Sequence, residues 1–267
     1  MSNDALAGKV AIITGAAGGL GCGIAEVFVE QGALVMVADI DGTAAATTAA
    51  ALGDSATPVA CDIADEASVA AMVATTLERH GRIDVLVNNA GINFVKPFET
   101  ITVADWDRVM SVDLRGTFLC THAVVPHMLK QGSGNVIGIA SVHSRAGLHG
   151  AAPYDAAKWG MVGMTKSLAV EFAPRGLRFN CVSPGLMDTA MWQELLRTSA
   201  DADACVAHWN TNIPMKRPGQ PREVGTVCAF LASDAASYVT GANYEVDGGM
   251  LAQLATPPDY DTDTIAH

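Results

Sequence analysis

The chain is predicted to be an α/β protein, a doubly wound parallel sheet of seven strands with helices on both faces. Three observations predict it. Short β-branched runs alternate with longer helical patterns along the whole length. The strand-like runs are apolar at consecutive positions, as strands covered on both faces are. The first of them ends in TGAAGGLG, residues 14 to 21, half of it glycine, at the handover from strand to helix.

The elements follow in order. KVAIIT is the first strand, and the helix after it runs to Gly32; ALVMVAD is the second, followed by an Ala-rich helix. TPVACD precedes a helix from Ala64 to His80, and RIDVLVN precedes a long fourth helix. GNVIGIA leads to a helix beginning near Pro153, where proline's fixed φ suits a first helical turn. LRFNCVS, a helix near Pro221 and the last strand ANYEV complete the pattern. Two segments stand outside it. Residues 186–217 are longer than a plain connection and leave from the carboxyl end of a strand, where excursions shape ligand sites. The acidic, proline-bearing tail 255–267 is expected to be mobile or draped over a neighbouring subunit.

Composition narrows the function. At 267 residues with half of them apolar, the chain fits one large domain spanning residues 1–267. No apolar run approaches the roughly 20 residues a bilayer span needs, and MSNDALAGK lacks the features of a signal peptide, so a cytoplasmic location is expected. A net charge of −12 repels nucleic acid and anionic membranes, leaving a small-molecule substrate as the expected partner. The six cysteines form no CxxC pair, and the histidines lack ligand spacing, so no metal is expected.

The glycine loop has the chemistry of a phosphate cradle. Gly15, Gly19, Leu20 and Gly21 lie where free backbone N–H groups and a helix dipole favour a pyrophosphate. Asp39 closes the second strand 24 positions after Gly15, about where a ribose-binding carboxylate belongs. A carboxylate there accepts from ribose hydroxyls and repels a 2′-phosphate, and neither Gly18 nor Ile40 offers a cation, so NAD is expected over NADP.

Tyr154 and Lys158 are four apart and share a helix face. A phenol, titrating near 10, works as a base near neutrality only where a cation stabilises its phenolate, and the lysine is placed to do so.

These motifs together resemble the short-chain dehydrogenase/reductase family: TGAAGGLG for TGxxxGxG, Asp62 after the third strand, NNAG at 88 to 91, Ser141 thirteen before a YxxxK, and PG at 184 and 185. The resemblance covers almost the whole chain and implies a single Rossmann-like domain with strand order 3-2-1-4-5-6-7. It implies that Ser141 hydrogen-bonds the substrate oxygen, that Tyr154 is the general base, and that Lys158 binds the nicotinamide ribose and eases phenol ionisation. Ser144 competes on composition but lies only ten residues before Tyr154. Asp62 with Ile63 would face the adenine, Asn89, Ala90 and Gly91 the adenosine ribose, and Pro184, Gly185 and Thr189 the nicotinamide. One departure stands out: the family's NxxGxF asparagine is replaced in VDLRGTF by Asp113, a proton-relay candidate that cannot donate when ionised.

The reaction expected is hydride transfer between a secondary alcohol and NAD. Candidate substrate walls are Phe94, His143, His149, Met187, Met191 and Trp192. SVH after the fifth strand resembles sugar and polyol dehydrogenases of the family, in which an imidazole could bond a second hydroxyl. A 3-oxoacyl-thioester reductase is the alternative, disfavoured because it would normally call for NADPH and a basic surface. A nucleotide-sensing regulator without catalysis is a third reading, which the joint presence of Ser141, Tyr154 and Lys158 disfavours. The family also implies a homotetramer; the sequence shows apolar helix faces, such as Met161, Met164 and Leu168, that would serve an interface or equally be internal core.

Overall fold

The fold was analysed in a computed structural model, which describes residues 4–254. Seven parallel strands, β1 Val10–Thr14, β2 Leu34–Asp39, β3 Ala56–Ala60, β4 Val85–Asn88, β5 Gly134–Ile139, β6 Leu177–Pro184 and β7 Asn243–Val246, form one sheet in the order 3-2-1-4-5-6-7. The expected topology is therefore the observed one. The tail 255–267 lies outside the described residues.

The strict alternation of side chains along a strand explains why the apolar runs need helices on both sides. Ala11, Ile13, Val35, Val37, Val85 and Val87 enter one core, together with α1 Gly19–Glu30, α2 Gly42–Leu52 and α9 Pro221–Ala232. Ile12, Met36, Ala38 and Leu86 point the other way, into a second core with α3 Glu66–His80, α5 Thr117–Gln131 and part of α6 Ala152–Phe172. The edges depart from the double-sided burial expected of every strand, because an edge has a neighbour on one side only. β3 and β7 are largely half-exposed.

The long helix after β4 is also not uniform. After a loop, α4 Val103–Val109 continues through a π-helical segment, Met110–Gly116, into α5. Such wide turns are rare and concentrate at functional sites, and this one carries Asp113. The excursion 186–217 folds into two short helices, α7 Ala190–Thr198 and α8 Ala202–Thr211.

β1 and β4 are adjacent although three strands apart in order, so the winding reverses between them and opens a crevice at their carboxyl ends. Thr14 Oγ1 accepts from the N–H groups of Asn89 (3.0 Å) and Ala90 (3.1 Å), while Asn89 Nδ2 donates to the carbonyls of Thr14 (2.9 Å) and Gly15 (3.0 Å). The glycine loop is thus stitched to the segment after β4.

Gly21 shows how tightly. A Cβ there would collide with the Gly15 carbonyl oxygen and stand 2.5 Å from Asn89 Nδ2. Gly21→Ala should therefore destabilise the fold by about 1–3 kcal/mol, the usual cost of overpacking, read as a lower midpoint in urea at unchanged slope. An unchanged midpoint would contradict this packing.

Candidate active site

At the glycine loop, α1 begins without a side-chain cap, unlike α2, α3 and α8. Asp41, Asp65 and Asp201 accept from first-turn N–H groups of α2, α3 and α8, whereas Gly18 precedes α1 with nothing to offer. Gly15 and Gly19 have φ of +63° and +53°, conformations natural to glycine, and a Cβ on Gly18 would meet nothing within 4 Å. Open backbone and bare N–H groups fit a pyrophosphate. The Thr189 side chain faces this turn, 3.9 Å from where a Cβ on Gly19 would stand. That puts it beside the glycine loop.

Asp39 spans two turns. Its Oδ2 accepts from Ala17 N–H (3.1 Å) in the glycine loop and its Oδ1 from Asp41 N–H (3.1 Å). Asp62 is exposed, with Oδ1 accepting from Ala64 N–H (2.9 Å), but the Ile63 side chain turns into the core against Gly116. Pro184 ends β6, and Gly185 N–H donates to Val246 (3.0 Å) in a space that a Cβ would close against Asp247 Cα at 2.8 Å.

The other half of the site is built around a buried ammonium. Lys158, on α6, is 3% exposed; its Nζ donates to the Ile139 carbonyl at the end of β5 (3.1 Å) and lies 3.6 Å from Asp113 Oδ2. Asp113 is fully buried, its Oδ1 accepts from Ile92 N–H (2.9 Å), and its Oδ2 makes no hydrogen bond among the described residues. Burial pushes its carboxyl above the ordinary carboxylate range, opposed by Lys158 and the Ile92 N–H. Gly91 approaches both groups, since a Cβ on it would stand 3.1 Å from Asp113 Oδ2 and 3.4 Å from Lys158 Nζ. The absence of a side chain there lets the segment after β4 pass close to the lysine.

Lys158 Nζ sits 5.3 Å from the centroid of the Tyr154 ring, one helical turn away. The Tyr154 hydroxyl is engaged by no group among the described residues. Ser141, just past β5, caps the start of the short 3-10 turn Val142–Ser144, its Oγ accepting from His143 N–H (3.2 Å). Ser144, its rival on composition, is wholly buried and bonded to the Ser141 carbonyl (2.7 Å) and Ser183 Oγ (3.0 Å). It is part of the scaffold.

The substrate walls separate. Phe94 is half-buried on a loop that Lys96 N–H ties to the Gly150 carbonyl (2.9 Å), and His149 is exposed beside that tie. Met187 does not line the crevice as expected: it is 8% exposed, belongs to the core on the α1 and α9 side, and pairs with Gly219. Trp192 is buried, and the side chain of Met191 lies outside the described residues. Sequence reasoning missed the backbone partners Ile92 and Ile139, which carry no side-chain signal. It also missed Asp155, whose carboxylate meets His143 Nδ1 at 2.6 Å. Among the described residues no group of three metal-ligating side chains occurs, and no helix is long and apolar enough to cross a membrane.

Comparison with known proteins identifies the family. The family profile described as "Enoyl-(Acyl carrier protein) reductase" matches residues 15–251. The (2S)-[(R)-hydroxy(phenyl)methyl]succinyl-CoA dehydrogenase subunit BbsD of Thauera aromatica is 41% identical over 90% of this chain and 96% of its own length. The D-threitol dehydrogenase of Mycolicibacterium smegmatis is 39% identical over 91% and 93%. A 3-ketoacyl-(acyl-carrier-protein) reductase from Brucella melitensis, solved with NADH, matches with a TM-score of 0.85 at 36% identity, over 92% of this chain and 99% of that one. The chain belongs to the short-chain dehydrogenase/reductase family of nicotinamide-dependent oxidoreductases.

Asp113→Asn keeps an acceptor for Ile92 N–H and removes the negative charge beside Lys158. The ammonium then acts on the site unopposed, so the rising limb of kcat/KM against pH should move to lower pH. Asp113→Ala, which strands both partners, should lower kcat and the melting temperature together. A pH profile identical to wild type in Asp113→Asn would remove Asp113 from the electrostatics of the site.

Proposed function

We propose that this protein is an NAD-dependent dehydrogenase that interconverts a secondary alcohol and a ketone, sugar and polyol hydroxyls included. The observation that carries the proposal is the Tyr154 ring stacked a turn away from a buried ammonium, beside a glycine loop whose helix is uncapped. When bound, the nicotinamide supplies the hydride acceptor. Lys158 stabilises the phenolate, Tyr154 removes the hydroxyl proton, and Ser141 donates to the substrate oxygen. Asp113 orients the lysine.

NAD preference is supported by Asp39, with Asp41 close behind it and no basic residue at positions 16–18 or 40–43. A carboxylate and a 2′-phosphate about 4 Å apart repel by about 1 kcal/mol per charge pair in water and about 4 kcal/mol at the protein surface. The 3-oxoacyl alternative gains weight from the Brucella reductase, because its complex is with NADH. Cofactor choice therefore does not separate the two readings, and a substrate panel must.

We also propose a homotetramer. Its support is the apolar surface left open by Trp106, Phe118, Trp159 and Val170 on α4 to α6, which suits a second copy of the same face. Of the two places open to the α6 residues, Met161 takes the core, while Met164 and Leu168 are half-buried.

Screening alcohols, polyols, hydroxy acids and a 3-oxoacyl thioester by NADH absorbance decides the substrate class. Tyr154→Phe should lose about 10²–10⁴ in kcat, the usual worth of a general base, while NADH binding persists. Asp39→Ala should reduce the NAD over NADP ratio of kcat/KM by about tenfold or more. Normal turnover in the first variant, or an unchanged ratio in the second, defeats the corresponding assignment. Sedimentation as a monomer defeats the tetramer.

A further inference from the structure

The turn that follows Ser141 is held from the far edge of the sheet. Ser144, Ser183 and Asn243 form a polar triangle, the two serines wholly buried and Asn243 half-buried on β7. The Ser141 carbonyl accepts from the Ser144 N–H (2.8 Å) and from the Ser144 hydroxyl (2.7 Å). Ser144 Oγ in turn lies 3.3 Å from Asn243 Nδ2 and 3.0 Å from Ser183 Oγ, while Ser183 Oγ lies 2.8 Å from Asn243 Oδ1. Two residues further along β7, on the same face of the strand, Glu245 pairs with Arg145 (3.0 Å), which follows Ser144 in the chain.

Counting hydrogens gives the triangle a direction. A carbonyl only accepts, so the single hydroxyl proton of Ser144 goes to Ser141, and the Ser144 oxygen can only accept from the other two corners. Asn243 must then turn its NH2 toward Ser144 and its carbonyl toward Ser183, which is the orientation it has; the reverse would set two acceptors face to face. Hydrogen bonds in a water-free interior reinforce one another along such a chain. We infer that Ser144, gripped by Asn243 and Ser183, is a positioning residue for the reaction: it fixes the Ser141 backbone, and through it the hydroxyl that meets the substrate oxygen. Ser141 Oγ already accepts from His143 N–H (3.2 Å), which leaves its own proton for that oxygen. The inference rests on the dehydrogenase reading above and gives the edge strand β7 a task in it.

The test reads kinetics and amide exchange side by side, with NAD and three probe alcohols: cyclohexanol, butan-2-ol and butane-2,3-diol. Ser144→Ala should lower kcat about fivefold to tenfold, the effect of one neutral hydrogen bond lost in the transition state, with KM changed less than about twofold. Hydrogen exchange of the segment 142–146 should quicken by a similar factor. Ser144→Cys, a weak donor of similar size, should fall between wild type and Ser144→Ala. Asn243→Ala should show the same kind of kcat loss in smaller measure, and should add nothing to it in the Ser144→Ala background. NADH binding and melting temperature report folding in each variant. Wild-type kcat and exchange in a folded Ser144→Ala would overturn the inference, and so would a joint failure of kcat, KM and NADH binding, the mark of a merely structural role. Additive losses in the double variant would take Asn243 out of the chain and overturn it as well. In each of these cases wild-type turnover leaves the dehydrogenase reading standing. A folded, NADH-binding wild type that oxidises no alcohol would overturn that reading and this one with it.

Discussion

An ammonium removed from water costs of order several kcal/mol unless compensating groups surround it, and the side chain of Lys158 is such a group. Its compensation comes from the carbonyl that ends β5 and from Asp113 in the π segment. Asp113 is in turn oriented by the backbone just past β4. Four parts of the chain distant in sequence must arrive together before α6 can bury its lysine. The arrival of Tyr154 and Ser141 beside it follows from the same convergence, because one shares the helix and the other continues the strand.

The glycine-loop side depends on a parallel constraint. Thr14 and Asn89 lock the glycine loop to the segment after β4, and Asp39 locks the same loop to the start of α2. Asp39 therefore has a structural task besides any contact with ribose. Gly91 then leaves room for Lys158 and Asp113, which a side chain at that position would crowd.

The fold was largely legible because two-sided burial leaves continuous apolar runs, and because a strand order obeys few rules once helices alternate with strands. Edge strands escaped this logic: β3 and β7 have one neighbour each and tolerate polar positions. In the site, side chains at fixed spacing on one element were legible, as with Tyr154 and Lys158. Partners that depend on tertiary placement were not. Ile139 and Ile92 contribute only backbone, Asp155 reaches His143 across a loop, and Met187 looks like a wall residue in sequence yet is held in the core by Gly219.

The wide turn at Met110–Gly116 bears on how this chain can vary over time. A π turn accommodates one residue more than an α turn, so the helix on either side is out of phase by about 100° relative to an uninterrupted one. Upstream, Val109 is fixed in the interior; downstream, Thr121 is fixed by its bond to Asn88 (3.0 Å). Losing a single codon between them would regularise the coil and swing the acidic side chain off the lysine, whereas exchanging residues one for one would not. Relatives should accordingly differ here by replacement and keep their length.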